Sequence, residues 1–176
     1  MSTLVGERII LKPIDINDSK DYVEWRNSSF VRNRFLVRTD FTVEQQDAWI
    51  KSISSSDQVK QFIIMLKNPT EKIGSTYLLN IDSINRKAEF GIFLKSNAFA
   101  GKGYGHEATK MILSYGFETL NLNKVYLRVL ADNKIAISSY LKSGFVQEGI
   151  AREDVFVDGC FVDIVYMSIL KKDFLK

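Results

Sequence analysis

A glycine-rich turn, Ala100-Gly101-Lys102-Gly103-Tyr104-Gly105-His106-Glu107-Ala108, runs directly into a helical pattern and constrains the fold more than any other stretch. Glycines allow positive φ and let backbone N–H groups approach an anion, while a helix start adds unpaired N–H groups and the positive end of a dipole. From about Gly105 to Leu120 the apolar residues Ala108, Met111, Ile112, Tyr115 and Phe117 follow helical spacing, leaving Glu107, Lys110 and Ser114 outward. Val125, Leu127 and Val129 then alternate with Tyr126 and Arg128, the period of a strand. The turn therefore lies in a strand–loop–helix–strand unit, and phosphate is the group such a loop holds.

Around this unit the chain alternates short strands and helices. Glu7 to Lys12 reads as an opening strand ended by Pro13, and Asp15 to Ser19 offers caps for a helix reaching about Asn27. Thr42 with Gln45 forms a capping box ahead of Trp49, Ile50 and Ile53, which predicts a second helix. Phe62 to Leu66, Ile73 to Leu79 and Ala88 to Leu94 are apolar runs of strand length separated by turn chemistry, an antiparallel meander. Asn133 to Ser143 reads as a helix stopped by Gly144, and Asp158-Gly159 joins two strands as a tight hairpin. These elements predict an α+β protein, an α/β/α sandwich with one mixed, mostly antiparallel sheet and helices on both faces, as one domain over 1–176.

Composition narrows the function classes. A chain of 176 residues that is 45% hydrophobic buries a substantial core, and a net charge of +3 is far from the concentrated basic footprint of a nucleic-acid binder. One cysteine, Cys160, forbids an intramolecular disulfide and suits a reducing cytoplasm. Met1 to Gly6 lacks the basic and apolar regions of a secretory signal, and no segment is long enough to span a bilayer, so no membrane association is expected. One histidine, His106, and no Cys/His cluster make a metal site unexpected. A Rossmann site is excluded because the glycines fall at 101, 103 and 105, past the middle of the chain, and the strand Lys124 to Val129 carries no acid. A Walker loop is excluded because no Lys-Ser or Lys-Thr pair follows the last glycine.

The loop and its flanks resemble motif A of the GNAT acetyltransferase superfamily, where Arg/Gln-x-x-Gly-x-Gly/Ala holds the pyrophosphate of acetyl-CoA. Gly103 and Gly105 match the two small positions, whereas Ala100 stands where that motif has Arg or Gln. Ala88 to Leu94 is similar to the family's preceding strand, and Asn133 to Phe145 to its Asn-x-x-Ala…Tyr…Gly-Phe motif. Leu4 to Pro13, Trp25-Arg26-Asn27 and Phe145 to Gly149 resemble the ribosomal-protein N-terminal acetyltransferase branch, which also includes bacterial spermidine acetyltransferases and some nucleotide-amino-sugar acetyltransferases.

The resemblance implies transfer of an acetyl group from acetyl-CoA to a primary amine, on a small molecule, an amino sugar or a protein N-terminus. It implies that the backbone of Ile92, Phe93 and Leu94 pairs with the pantetheine arm and that Ala100, Gly101, Lys102, Gly103, Tyr104, Gly105 and His106 hold the pyrophosphate. Tyr140 takes the place of the acid that protonates the departing thiolate, and packing on the core face of its helix is the competing reading. Asn133 is a helix cap, a cofactor contact or both. Glu89, on the strand beside the expected acetyl group, is the first candidate for the base, directly or through water, with a solvent-facing strand residue as the alternative.

Trp25, Arg26 and Arg34 are the candidate acceptor contacts. With Arg32 and Arg38 the two arginines form a cluster suited to an anionic acceptor such as a nucleotide sugar, although such clusters are more often solvated faces. A polyamine site calls for acids, and residues 25–40 supply only Asp40. The Ala100 departure leaves open a non-catalytic CoA-binding sensor or interaction module, and the loop alone leaves open an ATP site. The C-terminal hairpin, with Phe156, Phe161 and Tyr166, offers a surface for a homodimer.

Overall fold

The computed structural model describes residues 1–175. Its strands are β1 (Leu4–Val5), β2 (Ile9–Pro13), β3 (Lys60–Lys67), β4 (Thr70–Asp82), β5 (Lys87–Leu94), β6 (Lys124–Leu130), β7 (Val146–Val157) and β8 (Cys160–Leu170). Its helices are α1 (Ser19–Asn27), α2 (Ser29–Arg32), α3 (Val43–Ser54), α4 (Tyr104–Ser114), α5 (Lys134–Lys142) and α6 (Lys171–Phe174). The strands form one sheet in the order β1-β2-β3-β4-β5-β6-β8-β7, antiparallel throughout except for β5 and β6.

Local chemistry sets the boundaries. Thr42 Oγ1 accepts from the Gln45 N–H at 3.2 Å and Gln45 Oε1 from the Thr42 N–H at 3.0 Å, so the capping box that starts α3 is complete. Asp158 and Gly159 both take positive φ, 50° and 86°, the backbone that lets a two-residue turn follow the twist of β7 and β8. The first strand pair was not foreseen: β1 folds back on β2 through Gly6, whose N–H donates to the Ile9 carbonyl. The helix after the glycine loop begins at Tyr104, one residue before the predicted start, and ends in a wider π-helical turn over Tyr115–Thr119.

Both faces of the sheet are covered, which explains why β3 reads as an unbroken apolar run. Phe62, Ile64 and Leu66 face a core shared with Ala108, Ile112 and Leu113 of α4. Ile63 points the other way, into a second core with Tyr22, Trp25, Val31, Ile50 and Ile53 from α1–α3. Phe62 is fully buried, its ring edge-on to Tyr115 with centroids 5.6 Å apart, and cutting it to Ala would cost about 3–5 kcal/mol.

The functional consequence of this topology lies at one seam. β5 and β6 pair in parallel only at Lys87↔Lys124, Ala88↔Val125 and Glu89↔Tyr126. Beyond Glu89 the strands part, β5 staying with β4 as far as Leu94↔Gly74 and β6 staying with β8 as far as Leu130↔Ile164. The sheet opens into a wedge, and the β5 backbone from Phe90 to Leu94 faces it without a strand partner on that side.

Candidate active site

Alternation along β5 assigns the two sides of the wedge. Phe90, Ile92 and Leu94 belong to the core under α4 and α5, so Glu89, Gly91 and Phe93 face α1–α3. A continuous cavity of about 1180 Å³ runs through the opening, from the glycine loop to the α1–α3 face.

At the glycine-loop end, Gly101 and Gly103 have φ of 72° and 84°, conformations that cost a residue with a Cβ about 1–2 kcal/mol. Gly103 is the N-cap of α4, so the loop's last turn and the helix start face the same space. Ala100, Gly101, Gly103, Gly105 and His106 line the cavity together with Ile92, Phe93, Leu94 and Asn133. Asn133 also caps α5, its Oδ1 accepting from the Ala136 N–H at 3.2 Å. His106 Nδ1 lies 3.0 Å from Ser143 Oγ, which joins the first turn of α4 to the end of α5.

Two predicted loop residues turn away from the cavity. The Lys102 carbonyl accepts from Arg8 Nη1 at 2.9 Å, and the Tyr104 ring lies under the Arg8 guanidinium at 4.9 Å. Glu107, expected to face outward, reaches back to β2 instead. Its Oε1 accepts from the Arg8 N–H at 2.8 Å and its Oε2 pairs with Arg8 Nε at 3.0 Å. Partial burial pushes the carboxyl up, but the hydrogen bonds from Arg8 and from the Ile9 N–H, with the Arg8 charge, outweigh it and hold the group below its usual range. Arg8 thus braces the loop from outside, in a chain where Ala100 offers no side-chain help.

At the middle of the cavity, Tyr140 and Glu89 stand on opposite faces of the sheet. Tyr140 packs edge-on to Phe90 with centroids 6.1 Å apart and against Phe145 at 5.8 Å, so its packing role is real. It also lines the cavity, and loss of solvent pushes its phenol up to about 12. Glu89 is held from both oxygens, Oε1 by Arg128 Nε at 2.9 Å and Oε2 by Asn80 Nδ2 at 3.2 Å. It is therefore a fixed carboxylate in a network, not a freely solvated strand residue.

The α1–α3 end of the cavity corrects the arginine cluster. Arg32 pairs with Asp40 and Arg38 with Asp158, both outside the cavity, whereas Arg26 and Arg34 line it. Trp25 does not reach the cavity wall. It is 8% exposed and packs edge-on to Phe93 in the α1–α3 core, because α1 turns that side of the helix to the sheet. Arg26, the next residue, is 4% exposed, its guanidinium stacked 3.5 Å from the Phe35 centroid and 4.8 Å from that of Phe41. Burial lowers its pKa.

Sequence reasoning missed Tyr22, Tyr77, Asn80 and Arg128, all of which line the cavity. Tyr77 lies opposite Gly91 in the β4–β5 register, and its ring occupies the space a side chain at 91 would take, 2.2 Å from an added Cβ. Burial raises the phenols of Tyr22 and Tyr77. Arg128 had a signal in the alternation that put it on the outward face of β6; what the sequence lacked was the parallel register that brings that face beside Glu89. Among the described residues no cluster of three or more Asp, Glu, His or Cys is placed to hold a metal ion, and no helix is long and apolar enough to cross a membrane.

Comparison with known proteins bears on this geometry directly. The family model described as "Acetyltransferase (GNAT) domain" matches residues 8–146. Spermidine N(1)-acetyltransferase of Escherichia coli K12 is 35% identical over 137 residues, 77% of this chain and 71% of that protein. An uncharacterized N-acetyltransferase, p20, of Bacillus licheniformis is 31% identical over 141 residues, 78% of each chain. The crystal structure of spermidine N-acetyltransferase from Vibrio cholerae in complex with CoA and spermine superposes with a TM-score of 0.88 at 26% identity, covering 96% of this chain and 99% of that one.

Proposed function

The chain belongs to the GNAT acetyltransferase family and is an acetyl-CoA-dependent N-acetyltransferase acting on a primary amine; from that premise we propose how its own residues divide the work. The observation that carries the reading is the continuous cavity, lined from both faces of the sheet, with Tyr140 on one side of the wedge and Glu89 on the other. Donor and acceptor enter from opposite faces and meet where β5 and β6 part.

The loop 100–106 and the start of α4 hold the donor's pyrophosphate through backbone N–H groups, and the unpaired β5 backbone at Ile92, Phe93 and Leu94 takes the pantetheine arm as an added strand. A β5 N–H facing the thioester oxygen stabilises the oxyanion, a contribution of about 3 kcal/mol for a fixed donor. The amine nitrogen attacks the thioester carbon, an N–C bond forms, and the C–S bond then breaks. The proton lost by nitrogen passes through water to Glu89, whose oxygens each keep a lone pair after binding Arg128 and Asn80. Tyr140 gives its proton to the departing thiolate and regains one from solvent. Because burial keeps the phenol protonated across the neutral range, the donor is always loaded.

We take 1–176 as one domain working in a reducing cytoplasm, in the branch whose opening strand and Trp25-Arg26-Asn27 helix it shares with ribosomal-protein and spermidine acetyltransferases. The exposed Phe156 and Phe161 on the β7–β8 hairpin are the surface we assign to a homodimer. The test is thiol release from acetyl-CoA across a panel of primary amines, with CoA binding measured in parallel by calorimetry. Acetylation of at least one amine is expected. Tight CoA binding with no amine acetylated would instead make the chain a CoA-binding module.

A further inference from the structure

Arg26 is a charge without a counter-charge. It sits in the last turn of α1 at 4% exposure, its Nη1 is buried with no hydrogen-bond partner, and its one hydrogen bond is a long 3.5 Å contact from Nη2 to the Val37 carbonyl. Among the described residues no carboxylate pairs with it. Stacking between Phe35 and Phe41 fixes the plane of the fork but supplies no acceptor for its N–H groups. Buried guanidinium groups are ordinarily paired, since an unpaired one forfeits its hydration for nothing. Arg26 lines the cavity, so the missing partner is a group that arrives through it.

The rest of the acceptor end has the same bias. Arg34 also lines the cavity without an ion pair, resting 4.0 Å from the Phe30 ring centroid and donating to the Phe30 carbonyl. Glu89 is the one carboxylate among the lining residues, and both its oxygens are already engaged. A polyamine placed here would set its spare ammonium groups among Arg26, Arg34 and Arg128 with no free acid to receive them. Tyr77 lines the same cavity as Arg26, Glu89 and Tyr140, so the guanidinium and the reacting centre share one chamber.

We propose that the acceptor is a primary amine that also carries a compact oxyanion, a carboxylate or a phosphate, bound by the Arg26 fork while the amine reaches Glu89. A guanidinium matches either oxyanion with two parallel N–H bonds. Arg34 sits on the way in as a second, more exposed cation. The proposal rests on the acetyl-transfer reading above and deepens it by naming the acceptor's second functional group.

The test measures thiol release from acetyl-CoA with 4-aminobutyrate, 2-aminoethyl phosphate, glucosamine 6-phosphate, 1,4-diaminobutane and spermidine. At least one of the three anionic amines is expected to exceed both polyamines in kcat/KM by about tenfold or more, and comparison among the three separates carboxylate from phosphate. Arg26→Gln is expected to erase that advantage while leaving the KM for acetyl-CoA within about twofold. Because a substitution at a buried site can unfold the chain, two further measurements stand beside it. Arg34→Gln should weaken the anionic amines about threefold or more through lost attraction, and inorganic phosphate should inhibit the wild-type enzyme competitively against the amine. Spermidine outperforming every anionic amine, or phosphate competing with acetyl-CoA alone, would overturn the proposal and leave the acetyl-transfer reading intact. No turnover with any amine would remove both.

Discussion

The two ends of the cavity are built from different materials. The donor end is mostly backbone: Gly101 and Gly103 at positive φ, the start of α4, and a β5 edge that β6 leaves unpaired. The acceptor end is mostly side chain: Arg26 between Phe35 and Phe41, with Tyr22 and Tyr77 in the lining. A backbone site recognises what every acetyl-CoA presents and tolerates much sequence change, provided its glycines and the wedge persist. A side-chain site changes its ligand with a handful of substitutions. Kinship at 35% identity with a spermidine acetyltransferase is therefore informative about the donor and weak about the acceptor.

Variants can break that division or sharpen it. Tyr140→Phe removes the proposed proton donor between the two ends, and kcat should fall about 100-fold; steady-state kinetics should find the KM for acetyl-CoA within about twofold of wild type. The same phenol fixes a pH signature. Its active form is protonated and burial raises its pKa to about 12, so an alkaline loss of kcat centred near pH 10 does not belong to Tyr140. A wild-type limb near pH 10 that disappears in Tyr140→Phe would contradict the burial. Glu89→Gln should lower kcat by about 30-fold, less than the tyrosine change because water still accepts the proton, and raising the pH should recover part of the rate.

On the donor side alone, Gly103→Ala forces a Cβ into φ of 84° and to within 3.0 Å of Arg8 Nη2. Strain of about 1–2 kcal/mol should raise the KM for acetyl-CoA roughly tenfold, with the acceptor preference unchanged. If acceptor preference moved as well, the two ends would not be separable. The smallest effect is expected at Arg32→Ala. Its partner Asp40 is exposed, and thermal or urea unfolding should shift by under about 1 kcal/mol with acceptor kinetics untouched.

Much of this was readable from local chemistry. The Thr42–Gln45 box, the Asp158-Gly159 turn and the change from helical to strand period after Leu120 each depend on neighbours in sequence, and each element formed where that chemistry put it. The site was readable only in part. The glycine loop is local and announced itself, but the support of Lys102 and Glu107 by Arg8 joins residues 94 and 99 positions apart. Periodicity gives the face of a strand, not its neighbour, so nothing local in the sequence placed Arg128 beside Glu89. The arginine cluster shows the same limit. Arg26, Arg32, Arg34 and Arg38 look alike in sequence, and only the path of the chain through α1, α2 and the segment after them sorts two into the cavity and two onto surface acids.

Tyr77 and Gly91 carry a consequence for how such a chamber can diverge. A methyl group at 91 would land 2.2 Å from the Tyr77 ring, so each residue is tolerated because of the other. Enlarging position 91 first would force the Tyr77 ring out of its place, whereas shrinking position 77 first would leave room for either change. Descendants of this chain that remodel this part of the cavity thus pass more easily by way of tyrosine before glycine than in the reverse order.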